Sequence, residues 1–125
     1  LSCLIANKCM DLYLYNNSEI IRNVNNKGDI LNNNCQKLVV KYNFIKEYRN
    51  NGLLGCFEFN LNNNMLVLLS ELLLEHGIYC LRIRQNIFTA PPLNIDDELI
   101  IETIKKMDLV FDIFNDSLIF NQLSL

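Results

Sequence analysis

The chain has 125 residues, a net charge of −3 and an apolar fraction of 50%. That length fits one domain, and this composition supplies enough apolar side chains for a core. The acidic balance argues against a nucleic-acid-binding protein and a polybasic membrane-surface protein, because both need a basic face.

Two helices are predicted in the first third of the chain. Apolar residues recur at spacings of one, three and four over residues 2–15, and an Asn-Asn pair at 16–17 interrupts this pattern. Ser18 can cap a second helix, whose apolar stripe continues to about Tyr42. Gly28 lies inside this second helix, although glycine costs about 1 kcal/mol there relative to alanine.

The period of the apolar pattern then changes to two. From Gly52 onward, alternating apolar residues predict a strand over residues 53–61. A short helix follows from Met65 and ends at Gly77, a residue that favours the left-handed cap conformation. His76 is interpreted as a partner of the negative end of this helix, because no orienting acid or nucleophile for catalysis is evident.

A hairpin and a final helix complete the pattern. Residues 78–83 and 87–89 are predicted to form two strands around a tight turn at 85–86, and the buried face of the first strand is expected to comprise Tyr79, Leu81 and Ile83. Two prolines at 91–92 end the second strand, because proline cannot donate to a ladder. The last helix begins at Asp96 and carries a continuous apolar stripe.

This order of elements predicts an α+β fold. The expected architecture is a three-stranded, mostly antiparallel sheet with helices packed on one side. The expected organisation is a helical segment over residues 1–45, a small α+β domain over residues 46–116 and an apolar tail over residues 117–125. Leu1 leads directly into a helix, which is expected of a fragment whose upstream part is missing.

Arg82 and Arg84 are the candidate binding residues. Two positions apart on a strand, they would point to the same face and could clamp a carboxylate, sulfonate or phosphate through paired hydrogen bonds. The alternative is that they belong to a solvated sheet face. No catalytic, cofactor-binding or metal-binding residue is predicted, because the chain offers no four-ligand cluster, no glycine-rich phosphate loop and no lysine in an apolar setting.

The five cysteines have irregular spacing and form no Cys-x-x-Cys pair. They are interpreted as free thiols, mostly in the core, of a protein in a reducing compartment. No basic-then-apolar leader is evident, and no apolar run is long enough to span a bilayer. A cytoplasmic protein without membrane or nucleic-acid partners is therefore expected.

Four segments, in this order, resemble class III (omega-type) aminotransferases, which use pyridoxal 5′-phosphate. Residues 1–6 (LSCLIA) resemble a helix start made of small residues in that family. Residues 48–55 (YRNNGLLG) resemble its V-R-G-x-G-L-M-x segment, which leads into the first strand of the small domain. Residues 76–88 resemble the G-L-Y-x-x-x-R-x-N-x-I-F hairpin of the branch that includes taurine transaminases, and residues 90–98 (APPLNIDDE) resemble the A-P-P-L-x-I-T-x-E corner.

The resemblance implies the C-terminal portion of such an enzyme, with the small domain of a fold-type I transferase. The intact parent would move an amino group from an omega-amino acid or amine to a 2-oxo acid and would be a homodimer. It would hold the pyridoxal phosphate outside this segment, because the family's catalytic lysine, ring aspartate and phosphate-binding residues precede anything that matches Leu1.

At two positions where members of the family have a substrate-binding arginine, this chain has an apolar residue. Phe88 stands where some members have a carboxylate-binding arginine, and the hairpin arginine of the taurine-like branch falls at Ile83. The resemblance therefore assigns a substrate-binding role to one of the neighbours, Arg82 or Arg84. The alternative to an enzyme segment is a free-standing, non-catalytic α+β module that binds a partner or an anion.

Overall fold

A computed structural model describes the backbone of residues 1–123 and the side chains of residues 1–119. In chain order the elements are α1 (Ser2–Lys41), β1 (Ile45–Asn51), β2 (Leu54–Phe59), α2 (Asn63–Glu75), β3 (Leu81–Ile83), β4 (Asn86–Thr89) and α3 (Asp97–Leu123). The strands form one antiparallel sheet in the order β1-β2-β4-β3. The α+β class is confirmed, but the sheet has four strands, not the predicted three.

The additional strand is β1, at one edge of the sheet. Its apolar pattern is not alternating, because the buried residues Ile45 and Tyr48 are separated by two exposed ones. The register against β2 shifts between Ile45 and Glu47, which is typical of a bulge. This irregularity removes the period of two that would have indicated a strand.

The long helix α1 consists of two pieces, as predicted. Tyr15 is extended, and Asn16, Asn17 and Ser18 are all left-handed, with φ of 48°, 55° and 60°. Asparagine tolerates this region better than most residues. The Arg22 guanidinium donates to the backbone carbonyls of residues 16 and 17 and so holds the bend between the two pieces.

Gly28 permits a close approach between α1 and the β1–β2 turn. A Cβ at this position would lie 2.6 Å from the carbonyl oxygen of Gly52, whose own φ is +56°. Asn50 joins the two segments, because its Nδ2 donates to the Gly28 carbonyl at 2.9 Å and the Gly52 carbonyl at 2.8 Å. The glycine that disfavours a helix locally is therefore required by packing.

The core lies between one face of the sheet and the three helices. A cross-strand row of Tyr48, Phe57 and Ile87 is buried on this face. Phe111 of α3 packs edge-on against Phe57, with ring centroids 5.9 Å apart. The remaining buried side chains of α1, α2 and α3 join the same cluster, including Leu31, Leu38, Leu66, Leu69, Leu73, Ile104 and Phe114.

The predicted buried face of β3 is wrong. Tyr79 is 81% exposed, Leu81 is 53% exposed and Ile83 is 49% exposed. Arg82 instead pairs with the buried Ile87 and therefore lies on the helix-covered side of the sheet. Alternation indicates which residues share a face, but it does not indicate which face the helices cover.

The last helix is longer than its apolar stripe suggested. α3 continues to Leu123, so the predicted tail is helical up to that residue. Residues 124 and 125 of the predicted tail lie outside the described residues. The division of the chain at residues 45 and 116 stays a prediction.

A polar cluster joins the end of α1 to α3. The buried Tyr42 hydroxyl lies 2.6 Å from Asp108 Oδ1 and 2.7 Å from Asp112 Oδ1. Lys41 Nζ donates to the same two carboxylates at 2.8 Å and 3.1 Å. Hydrogen bonds from Tyr42 and Lys41 lower the pKa of Asp112. Burial and the hydrogen bond with Asp108 raise the pKa of Tyr42.

Replacing Tyr42 with phenylalanine is expected to lower the free energy of unfolding at pH 7 by about 1–3 kcal/mol, because the variant loses the hydroxyl that donates to the Asp112 carboxylate. The loss should shrink on acidification. A carboxyl with a lowered folded-state pKa stabilises the fold above its unfolded pKa of about 3.9, and this stabilisation is lost as the pH falls through the folded-state pKa. Urea denaturation at pH 7 and pH 3 measures both effects.

Tyr79→Phe is the matched control, because Tyr79 is exposed and should change the free energy of unfolding by less than about 0.5 kcal/mol. A Tyr42→Phe loss that is equal at pH 7 and pH 3 would contradict the role given to Asp112.

Candidate functional site

The candidate site lies where the β3–β4 hairpin meets the start of α2. Ile83 pairs with Asn86, so Arg84 and Gln85 form a two-residue loop, one position earlier than predicted. Arg84 is exposed and left-handed, with φ of 55°. Positive φ is typical of tight hairpin loops but uncommon for arginine. Arg82 and Arg84 therefore do not lie on one strand face, and the geometry assumed for a two-arginine clamp does not form.

Arg82 occupies a more defined position than Arg84. Its side chain is half-buried, and Nη1 donates to Asn63 Oδ1 at 3.0 Å. Asn63 is the first residue of α2, and the preceding Asn62 caps the helix by accepting from the Met65 amide at 3.0 Å. The guanidinium therefore lies beside the positive end of a helix dipole.

This arrangement is electropositive and retains donor capacity. A guanidinium carries five N–H donors, and among the described residues Arg82 uses one of its nitrogens for a side-chain hydrogen bond. The remaining donors could hold a carboxylate or sulfonate in the bidentate geometry that arginine favours. The chemistry available here is binding and orientation of an anion.

The sequence pattern points to Arg82 but not to Asn63. The asparagine run at 62–64 before an apolar helix is an N-cap signal. Its contact with Arg82, 19 residues later, depends on how the hairpin packs beside α2. No local pattern in the sequence indicates that contact.

The opposite face of the sheet is divided into a charged and an apolar part. On β1 and β2, Glu58 forms ion pairs with Lys46 and Arg49, and their hydrogen bonds lower its pKa. On β4, Phe88 is half-buried and pairs with Cys56 and with the exposed Leu81 of β3. The position that the resemblance aligns with a carboxylate-binding arginine is thus apolar here.

The residues present do not fit a pyridoxal phosphate site. Such a site needs a lysine that is removed from water. Lys27 is half-buried, and the other six lysines of the chain are exposed. We therefore derive no step of pyridoxal chemistry from the side chains of residues 1–119.

The histidine and cysteines have structural environments. His76 Nδ1 lies 2.8 Å from the carbonyl oxygen of Leu72, which confirms its predicted place at the end of α2. Burial raises the pKa of the Cys35 thiol to about 12 and that of Cys80 to about 11, so neither is poised as a nucleophile. All five cysteines are free. Cys3 and Cys9, however, are exposed on α1, not buried in a core.

No group of three or more His, Cys, Asp or Glu side chains is placed to hold a metal ion within the described part of the chain. None of the described helices is long and apolar enough to cross a membrane.

Three solved structures that share this fold are aminotransferases. Acetylornithine aminotransferase from Elizabethkingia anophelis superposes with a TM-score of 0.79 over 88% of this chain, at 22% identity. Ornithine delta-aminotransferase from Plasmodium falciparum gives 0.71 over 80% at 21% identity. Taurine:2-oxoglutarate aminotransferase from Bifidobacterium kashiwanohense, in complex with PLP and glutamate, gives 0.74 over 85% at 21% identity. The fold is therefore that of one part of an aminotransferase.

The family model for class III aminotransferases matches residues 1–111. The chain belongs to this family, as the resemblance of its four segments predicted. The chain spans only 28% of the acetylornithine aminotransferase and 26% of each of the other two solved structures. Among curated proteins, none matches this chain.

Proposed function

We propose that this chain is the C-terminal portion of a pyridoxal-phosphate-dependent aminotransferase. The parent would transfer an amino group from an omega-amino acid or amine to a 2-oxo acid. The observation that carries the proposal is the family match over residues 1–111, together with a fold that covers about a quarter of complete aminotransferases. Protein outside these residues would hold the cofactor, and this segment would supply the small domain.

The proposal extends to the parent's assembly and location. A homodimer is expected, with a small-molecule amine and a 2-oxo acid as the substrates. The free thiols favour a reducing compartment such as the cytoplasm.

The proposed branch is that of taurine and related omega-amino acids. Its support is the resemblance of residues 76–88 to the hairpin of that branch. Either a sulfonate or a carboxylate would suit an arginine beside a helix N-terminus.

Arg82 is the residue proposed to orient the anionic group of the substrate. The hydrogen bond from Arg82 to Asn63 limits the freedom of its side chain, and the start of α2 adds positive potential. Arg84, the second candidate, is exposed in the loop and lacks this support. The role of Arg82 would be positioning of the substrate and not bond making.

The experiment begins with the protein purified from its native source. An intact mass several-fold above 14.6 kDa, an absorbance band above 300 nm and transamination of taurine or β-alanine with 2-oxoglutarate are expected. A mass near 14.6 kDa without a pyridoxal band would instead favour the non-catalytic module, whose anion site would be the same arginine.

Arg82→Gln is expected to raise the KM for the anionic substrate about 10-fold to 100-fold, with a smaller change in kcat, because a charge-assisted hydrogen bond contributes about 1.5–3 kcal/mol to binding. Arg82→Lys should recover only part of this loss, because lysine cannot form the bidentate pair. Steady-state kinetics of the holoenzyme measure both variants.

Arg84→Gln is the matched control and should leave the KM within about twofold. If Arg84→Gln raised the KM and Arg82→Gln did not, the role of orienting the substrate would belong to Arg84 in the loop and not to Arg82.

A further inference from the structure

The turn between β1 and β2 carries the only Asn-Gly pair in the sequence. Asn51 is the last residue of β1, and Gly52 and Leu53 form a two-residue loop before β2. Every other asparagine precedes a residue that has a side chain. Glycine lacks the Cβ that shields a backbone nitrogen, so the nitrogen after Asn51 is unusually open to reaction with a neighbouring group.

The two groups that could react in this pair are accessible. Asn51 is exposed and Gly52 is half-buried. Gly52 has a φ of +56°, and glycine at the first position of a two-residue loop is typical of a type II′ turn. The ladder bonds then join Asn51 to Leu54 and leave the Gly52 N–H free. Among the described residues, neither this N–H nor the Asn51 carboxamide has a hydrogen-bond partner.

The end of the ladder supplies the backbone freedom that the reaction needs. An extended asparagine holds its carboxamide away from the next backbone nitrogen, so the pair must open before the two groups can meet. Asn51 and Leu54 form the last pair of the β1–β2 ladder, and β1 lies at the edge of the sheet. Opening at the end of a ladder costs less free energy than opening inside a sheet.

We propose that Asn51 is a site of spontaneous deamidation. The Gly52 nitrogen attacks Cγ of Asn51, the new N–C bond closes a succinimide ring, and Nδ2 leaves as ammonia with the proton of the Gly52 amide. Water then adds to either ring carbonyl and reopens the ring to an aspartate or an isoaspartate. One water is consumed and one ammonia is released, with no oxidation or reduction. The inference does not depend on the proposed function.

The isoaspartate product would lengthen the main chain where the turn contacts α1. It places one additional methylene in the backbone between residue 51 and Gly52. On one side of this insertion, Asn50 donates to the Gly28 carbonyl at 2.9 Å and to the Gly52 carbonyl at 2.8 Å. On the other side, Gly52 lies so close to α1 that a Cβ on Gly28 would be 2.6 Å from its carbonyl oxygen. The insertion should therefore loosen the contact between the turn and α1.

Ageing of the protein from its native source tests the site. The protein is kept for several weeks in neutral buffer below its melting temperature, digested, and analysed by reversed-phase chromatography with mass spectrometry. The peptide that contains residue 51 should gain about 1 Da and split into two isomers, with isoaspartate the more abundant. Asn17, which is also exposed but precedes Ser18, is the internal control and should change at least about 10-fold more slowly.

Two substitutions in the complete polypeptide separate the chemistry from its structural effect. Asn51→Gln should abolish the mass change at this position, because glutamine needs a larger ring that closes far more slowly. Asn51→Asp adds the charge of the product without lengthening the main chain. The isoaspartate fraction should melt at least about 3 °C below the fresh protein, whereas Asn51→Asp should shift the melting temperature by less than about 1 °C.

Three results would overturn the proposal. An unchanged mass at residue 51, or an earlier change at Asn17, would reject the site. A product that contains aspartate but no isoaspartate would reject the succinimide route, because the ring opens to both. Equal melting temperatures for the isoaspartate fraction and Asn51→Asp would reject the loosening of α1. None of these results bears on the proposed aminotransferase function, so the two proposals can fail separately.

Discussion

Replacement of Gly55 with alanine is expected to lower the free energy of unfolding by more than about 3 kcal/mol, or to prevent folding. The added Cβ would lie 2.0 Å from the Tyr48 hydroxyl and 2.5 Å from Thr89 Oγ1. Those two hydroxyls are buried and hydrogen-bonded to each other at 3.2 Å. Overpacking a core costs about 1–3 kcal/mol, and the loss of a buried hydrogen bond costs a similar amount.

The tyrosine has little room to move away from the new methyl group. The Tyr48 ring packs against Phe57 with centroids 4.5 Å apart. Its displacement would disturb the row of side chains between the sheet and α3. Urea denaturation followed by far-UV circular dichroism measures the loss.

Gly77→Ala is the control for Gly55→Ala. Gly77 has a φ of +80° but open space around its missing Cβ, so alanine adds backbone strain of about 1–2 kcal/mol without a clash. The clash at Gly55 should therefore cost clearly more than the strain at Gly77. Equal losses of unfolding free energy for the two substitutions would show that the Tyr48 and Thr89 hydroxyls do not occupy the space that a Cβ at residue 55 needs.

Phe111→Ala is expected to lower the free energy of unfolding by about 3–5 kcal/mol. Phe111 is fully buried on α3, and its ring meets Tyr42, Phe44, Phe57 and Phe59 edge-on, with centroids 5.6–6.1 Å apart. Truncation removes these contacts and leaves a cavity that the surrounding rings cannot fill without losing their own packing. The same denaturation experiment measures the loss.

Two variants on α3 separate the aromatic contacts from helix propensity. Ile113→Ala, at a 41% exposed position two residues later, should cost less than about 1 kcal/mol. Phe111→Leu should lie between the two, because it keeps most of the apolar volume but loses the edge-on rings. A Phe111→Ala loss no larger than that of Ile113→Ala would contradict the central place of this ring.

The periodic elements were the predictable part of the fold. The apolar stripes of α2 and α3 each contact one core, and their positions agree with helical spacing. The break at residues 16–17 was visible because asparagine disfavours a continuous helix. The strand β2 followed from alternation, with Phe57 and Phe59 on the buried side.

Prediction failed where long-range pairing decided the outcome. The edge strand β1 is paired on one side only, and a bulge removes its period. On β3, alternation correctly grouped Leu81 with Ile83, but pairing with β4 places both on the face without helices. The same pairing gives Arg82 its place beside Asn63 and moves Arg84 into the loop.

The sequence by itself determined the α+β class, the order of most elements and the four family segments, because local period, caps and short motifs are properties of neighbouring residues. Only the tertiary structure decided the fourth strand, the covered face of the sheet and the partner of Arg82. These depend on cross-strand register and helix packing between residues far apart in the chain. The exposure of residues 1–17 is likewise a tertiary fact, because an apolar stripe on a helix has the same sequence pattern whether it is covered or bare.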